Sequence, residues 1–231
     1  MWNRYINIEG NILLDKILII LPTKQRFNDF CLCADSWNTT TEGLSDVLVI
    51  TDENEGGYDK TKSAYPFKWE TTKLGSPLEI LNEAAVKYCN EYRWLSFMED
   101  DCIYISDNWE SSFITKLKEL GKNGIVYCND MLNERGLVGI PFLDSRIVQC
   151  LGYMSPPGLK AGYADNFWKQ LGADLESLYY FDELIIEHRH FSTGKRRKDD
   201  VACQLDSYTN ERQIYLDYYI NQYKIDIEKL K

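Results

Sequence analysis

The sequence contains only two histidines, His188 and His190, and its seven cysteines form neither a CxxC pair nor a ladder of zinc-type spacing. An odd number of scattered cysteines is no disulfide framework, so they read as reduced thiols of a cytoplasmic protein, several of them facing the core. No stretch approaches the roughly 20 apolar residues that cross a bilayer, and Met1–Tyr5 opens no signal-peptide run; an intracellular chain with at most peripheral membrane contact is expected. Basic residues are also in deficit. Against 36 Asp and Glu stand 26 Lys and Arg, and the net charge of -10 repels polyanions such as nucleic acid from the average surface. The one dense basic stretch, Lys195-Arg196-Arg197-Lys198, reads by itself as a solvated loop. Internal repeats and low-complexity segments are absent.

What is present is a chain of 231 residues, 13% of them aromatic, long enough for one large domain with a substantial core. Lys16–Leu21 (KILIIL) is a continuous aliphatic run stopped by Pro22, which suits a strand buried on both faces of a parallel sheet. A helix over 26–37 follows, then a second buried strand, Asp46–Thr51 (DVLVIT). Ser76, Pro77 and Glu79 make a helix start with a capping box, and Leu78, Leu81, Ala85, Tyr88 and Tyr92 recur at helical spacing behind it. The strand Trp94–Met98 then runs into three acids. Asp107-x-x-Glu110 reads as a second capping box, opening a helix that ends at Gly121, and Gly124–Cys128 is a further buried strand. Strand and helix alternating in this way specify an α/β sheet with right-handed crossovers. Beyond a loop to Pro141 come a short helix near Ser145–Leu151, a Pro156-Pro157-Gly158 break, a helix through Asn166–Leu171, a strand over Glu183–His190 and a final helix over 210–230.

Open α/β sheets bind ligands beyond the carboxyl ends of their strands. Those ends carry Thr23 to Arg26, Asp52, Glu99-Asp100-Asp101, Asn129-Asp130 and Glu187-His188-Arg189-His190. Three adjacent carboxylates repel one another unless a cation or several donors offset the cost. A divalent ion with oxygen ligands is the usual solution, and imidazole is an acceptable further ligand for manganese or similar ions. On a strand, His188 and His190 face the same side, so either or both can reach such an ion. Taken singly, the acids read as a solvated turn and the histidines as an exposed strand end; their meeting on one rim favours a site.

These residues resemble a family. A strand followed by PTxxR, a second strand ending in Asp, an acidic DD end and a late His look like a nucleotide-sugar-dependent glycosyltransferase of the GT-A fold. "GIVYCND", "IVQCLGYMSPPGL", "YADNFW" and "IIEHRH" are similar to a group of small bacterial and bacteriophage-encoded glycosyltransferase-like proteins. The resemblance covers Ile17 to Asp200. It implies a mostly parallel sheet flanked by helices in a catalytic domain over 16–205; residues 1–15, an N-terminal segment, and 206–231, a C-terminal helix expected to pack on that domain, lie outside the resemblance. It also implies a divalent metal, Mn2+ or Mg2+, held by Asp101 and by His188 or His190, and a nucleoside-diphosphate sugar donor, UDP-sugar foremost. Thr23, Arg26, Asp52, Asp100 and Lys195 fall on the donor side, with Lys73 and Asn82 as further candidates there. Glu99 departs from the pattern, where many relatives carry Gly or Asp.

Asp165, in YADNFW, matches the acid that takes the acceptor hydroxyl's proton in an inverting displacement; as a residue that opens a helix it equally suits an N-cap. The acceptor is open among a glycan, a protein, a small molecule and a modified DNA base. Trp109 and Trp168 suit either sugar stacking or the core, and the tyrosines of the last helix suit packing. A sugar nucleotidyltransferase would need a glycine-rich loop after the first strand, and LPTKQRFNDF has no glycine. A catalytically silent carbohydrate-binding domain is the non-enzymatic alternative; it has no need of acids, histidines and base together.

Overall fold

The computed structural model describes residue 10 and residues 12–231, so the expected N-terminal segment 1–15 lies largely outside the described residues. Strand β1 (Leu14–Pro22) sits mid-sheet, parallel to β2 (Ser45–Asp52) on one side and to β4 (Tyr92–Phe97) on the other. The aliphatic run is continuous because both of its faces are covered. Ile17, Ile19 and Leu21 pack with Phe30, Cys33 and Trp37 of α1 (Phe27–Thr40), whereas Leu18 and Ile20 pack with Leu81 and Ala85 of α3 (Pro77–Tyr88). Each such side chain contributes roughly 1.5–3 kcal/mol on full burial. The chain between β2 and α3 adds α2 (Asp59–Lys62) and the edge strand β3 (Lys68–Thr72), parallel to β2.

The second half contributes β5 (Cys102–Tyr104), α4 (Trp109–Leu120), β6 (Ile125–Asn129), β7 (Phe142–Asp144), α5 (Arg146–Leu151), α6 (Ala164–Asp174) and β8 (Leu178–His188). The sheet order is β3-β2-β1-β4-β7-β6-β8-β5. Strand β7 is antiparallel to both β4 and β6, and β5 is antiparallel to β8. Three residues each are too few to show a period in the sequence, which is why the reading of a mostly parallel sheet did not include them. A one-turn 3-10 helix (Phe191–Thr193), α7 (Asp200–Asp206), α8 (Glu211–Asn221) and α9 (Tyr223–Leu230) complete the chain. Tyr218, Tyr223, Ile227 and Leu230 join the core that contains α3 and α6. Among the described residues no helix is long and apolar enough to cross a membrane.

Ser76 caps the helix as expected, its Oγ accepting from the Glu79 amide at 3.3 Å, while the Glu79 carboxylate accepts from the Ser76 hydroxyl at 2.7 Å. Four other expectations are corrected. Tyr92 belongs to β4, because α3 ends at Tyr88. The last helix is two, broken at Gln222, so that the fully buried Asp226 can accept from Tyr153, Tyr218 at 2.8 Å and Gln222 at 2.9 Å. His190 lies beyond the end of β8, as the cap of the 3-10 turn, and does not continue the alternation of His188.

The fourth concerns Asp107 and Glu110, which make no capping box. Asn108 caps α4 in the left-handed region without a side-chain bond. Glu110 instead turns inward, fully buried, and accepts from Thr41 Oγ1 at 2.8 Å, the Glu42 amide at 2.6 Å, the Leu44 amide at 3.0 Å and the Ser45 hydroxyl. It closes the α1–β2 turn from a different element, a partnership that no local motif encodes. Glu110→Ala leaves four donors without their acceptor and is expected to destabilise the fold by about 3 kcal/mol, lowering the melting midpoint by roughly 6–12 °C. An unchanged midpoint in thermal denaturation would show that water replaces the carboxylate there.

Candidate active site

The order of strands places a topological switch between β1 and β4: the crossover from β1 to β2 carries α1 on one face, and the path to β4 carries α3 on the other. A crevice opens at such a point beyond the strand ends. Thr23 and Asp100 stand on its two sides, joined by a 2.8 Å hydrogen bond from Thr23 Oγ1 to Asp100 Oδ2.

The three acids after β4 part company. Asp100 turns toward β1, accepting from Thr23 and, at 3.2 Å, from Arg26 Nη1. Burial raises its carboxyl above the ordinary carboxylate range, against the pull of Arg26 and with Asp101 adding to it. Asp101 turns toward β8. The pairing of β5 with β8 sets Cys102 opposite His188, and the Arg189 amide donates to the Asp101 carbonyl at 3.0 Å. Asp101 Oδ1 therefore lies 3.2 Å from His188 Nε2, and Glu99 Oε2 lies 3.5 Å from the same nitrogen. One ligand atom each from Glu99, Asp101 and His188 fall within 4.8 Å of one another.

Asp101 Oδ1 and His188 Nε2 are buried, and neither has a partner in hydrogen-bond geometry. Burial works against a charged imidazole, yet Glu99 and Asp101 raise the His188 ring to about 10. Positive charge is thus drawn to the point between two carboxylates. Two buried polar atoms that face each other outside hydrogen-bond geometry, a carboxylate-rich donor set and a single imidazole fit a divalent ion of the manganese or magnesium type.

The other oxygen of Asp101 accepts from Arg196 Nε at 2.8 Å. Arg196 Nη1 reaches Asp199 Oδ2 at 2.8 Å, and Arg26 holds the same carboxylate through Nε at 2.8 Å and Nη2 at 3.1 Å. Although partial burial works the other way, the two guanidiniums hold Asp199 well below the ordinary range. Asp199 also caps α7 through the Ala202 amide at 2.8 Å. The basic loop is therefore tied across the acids, and α7 supplies Val201, Gln204 and Leu205 to the wall of the crevice.

That crevice encloses about 790 Å³ including solvent at its mouth, with Thr23, Arg26, Asp52 and Asp100 at its polar end and Leu74 and Ile80 at its apolar end. Asp52 is held below its ordinary range chiefly by the Asn54 amide, with Lys24 Nζ at 3.7 Å. A second hollow of about 670 Å³ adjoins it, lined by Asp165, Asn133, Tyr163, Trp168 and His188. Glu99 faces both. Asp165 is not an N-cap: Tyr163 caps α6, and Asp165 sits in its first turn with Oδ1 accepting from the Asn166 amide at 2.8 Å. Burial, reinforced by Glu99 and Asp130, raises its carboxyl above the ordinary range against that amide bond.

Thr23, Arg26, Asp52, Asp100, Asp101, Asp165 and His188 thus converge on one connected site; Lys73, Lys195, Asn82 and Trp109 stand apart from it, and His190 lines a hollow at its edge beside His188 and Arg196. The Lys73 side chain is 82% exposed, 3.7 Å from Glu53, and lines neither hollow. Lys195 pairs with Glu187 on the loop, also outside both hollows. His190 is turned into its own 3-10 turn, its Nδ1 2.7 Å from Ser192 Oγ, and stands outside the cluster of Glu99, Asp101 and His188. Asn82 is spent on the Met154 and Ser155 backbone, and Trp109 is fully buried against Phe113 and Phe142. Glu99 was named in the sequence as one of three clustered acids but given no role of its own, and Arg196 and Asp199 were not singled out there. Only the Asp199-x-x-Ala202 helix start carried a local signal.

No protein-family model matches the sequence, and no curated protein matches it. Solved structures do resemble it. S. aureus TarS in complex with UDP-GlcNAc superimposes with a TM-score of 0.65 over 93% of this chain and 70% of that one, at 11% identity. In other TarS structures the chain spans only 36% or 59% of their length. A Pyrobaculum calidifontis mannosyltransferase in complex with GDP-Man and Mn2+ gives 0.54 over 100% of this chain and 76% of that one, at 11% identity. Drosophila β1,4-galactosyltransferase 7 with manganese, UDP-Gal and xylobiose gives 0.54 over 86% and 79%, at 12% identity. The chain has a GT-A-like glycosyltransferase fold.

Proposed function

We propose that the chain is a metal-dependent glycosyltransferase that moves a sugar from a nucleoside-diphosphate donor, UDP-sugar foremost, to an acceptor hydroxyl with inversion. The observation that carries this reading is the convergence of Glu99, Asp101 and His188, with two buried atoms outside hydrogen-bond geometry, between the crevice and a hollow that holds a raised carboxylate. Neighbours of the same fold that bind UDP-GlcNAc, GDP-Man with Mn2+, and UDP-Gal with manganese support it.

Glu99, Asp101 and His188 would hold the divalent ion, Mn2+ or Mg2+. When bound, it supplies Lewis-acid neutralisation of the diphosphate charge, worth several kcal/mol. Asp52, beside Lys24 at the far end of β2, is placed to accept a ring N–H of the base. Thr23 and Asp100 line the crevice between base and acids; each Asp100 oxygen retains a lone pair beyond the bond it accepts, free for a sugar hydroxyl. Arg26 holds Asp199 through a two-nitrogen fork and Arg196 bridges Asp101 and Asp199, and guanidiniums so placed suit diphosphate oxygens. Asp165, on the opposite wall, takes the acceptor proton while the new C–O bond forms and the bond from the anomeric carbon to the diphosphate breaks. Its raised carboxyl is a better base for that proton than an ordinary one.

The direct test incubates the chain with UDP-, GDP- and TDP-sugars, with Mn2+ and with chelator, and measures released nucleoside diphosphate. Metal-dependent release from at least one donor is expected. The absence of both turnover and binding with every donor would remove the proposal.

A further inference from the structure

Asp165 is delivered by a segment with no regular structure of its own. It runs from Gly158, at φ +91°, to Tyr163, the cap of α6, at φ +64°. The left-handed region crowds the Cβ of a residue such as Tyr163, so this conformation needs external support.

That support comes from α8. The amides of Lys160, Ala161 and Gly162 converge on Oε2 of Glu211 at 3.0, 3.2 and 3.1 Å, and the Lys160 amide is also 3.2 Å from Oε1. Successive amides pointing at one anion form a nest, and a carboxylate is a strong acceptor for it. One residue on, Tyr163 stacks on Tyr215 of α8 with centroids 5.5 Å apart and planes 20° apart. From the opposite side the Leu78 amide of α3 donates to the Lys160 carbonyl at 3.2 Å. The segment is clamped between two helices. Ala161, at its middle, lines both the crevice and the hollow of Asp165.

We propose that Glu211 is a positioning residue, holding the 160–163 backbone and through it the placement of Asp165 against the acceptor. The inference rests on Asp165 acting as the base. Glu211 reaches Asp165 only through backbone, and a displacement of about 1 Å at a reacting group can cost on the order of 10²-fold in rate.

Two measurements on the full chain test it. By hydrogen–deuterium exchange, Glu211→Ala is expected to speed exchange across 160–166 by about tenfold or more, and Glu211→Gln, which keeps an acceptor oxygen, to restore most of the protection. With a donor that the wild-type chain consumes, Glu211→Ala is expected to lower kcat by roughly 10–100-fold while UDP affinity stays within about threefold. Glu211→Gln should recover to within about fivefold, and Arg212→Ala, exposed on the same turn, should match wild type. Unchanged exchange at 160–166 overturns the proposal. So does a kcat loss that merely tracks the fraction unfolded, or one matched by the loss of UDP affinity. If the wild-type chain consumes no donor, the glycosyltransferase reading fails and base positioning fails with it, whereas exchange still decides whether Glu211 holds the segment.

Discussion

Asp101→Asn is expected to abolish manganese binding at micromolar concentrations and to lower donor turnover by about 10³-fold or more, the equivalent of the several kcal/mol a Lewis acid supplies. The substitution keeps the shape of a side chain that is 2% exposed, so the change is one of charge. Asp101 is the member of the acid run that meets both His188 and Arg196. Without its charge, Glu99 alone faces the imidazole, and one carboxylate with one imidazole makes a poor site for a hard cation. The controls follow from the geometry. Glu99→Gln should weaken manganese binding roughly 10–100-fold, whereas His190→Ala, outside the cluster, should leave it within about threefold. Calorimetric titration with manganese checks the set. Wild-type affinity in Asp101→Asn would remove the metal assignment, and a loss in His190→Ala equal to that in a His188 variant would move the ligand.

For Asp165→Asn the expected loss is about 10²–10⁴-fold in turnover, the usual contribution of a positioned base, with UDP affinity within about threefold of wild type. Asn keeps the oxygen that accepts from the Asn166 amide, so the start of α6 is preserved. The pH profile separates a base from a structural residue. Asp165 must be ionised to accept the proton, and burial raises its carboxyl, so activity is present above the raised value and lost as pH falls through it. The acid limb of kcat/KM should therefore lie above the ordinary Asp value of about 3.9, and the residual activity of Asp165→Asn should lack that limb. A variant that turns over like wild type, or one that keeps the limb, would sink the assignment.

Local signals proved reliable where burial or capping is local. KILIIL and DVLVIT are strands because both faces of a parallel sheet are covered, and nothing but an unbroken aliphatic run satisfies that. Ser76, Pro77 and Glu79 start a helix by bonds three residues long. The same reasoning misassigned Asp107 and Glu110, where the pattern is identical but a stronger, non-local set of donors from 41–45 captures the glutamate. It also extended β8 to His190, since alternation in a sequence cannot show where pairing with β5 stops.

The candidate site divides along the same line. From its own residues the chain determined that acids and histidines stand at strand ends on one rim of an α/β sheet, because hydrophobic periodicity locates those ends; Asp165 joined them only through the family resemblance. Only the tertiary structure decided that adjacent Asp100 and Asp101 face opposite partners, that Glu99 and not His190 completes the cluster, and that Arg196, Asp199 and Glu211 tie distant segments to it. The pairs that join distant elements there span at least 49 residues, from Gly162 with Glu211 to Asp100 with Thr23 and Asp101 with His188. Sheet register and packing set such pairs, and no periodicity along the chain records them.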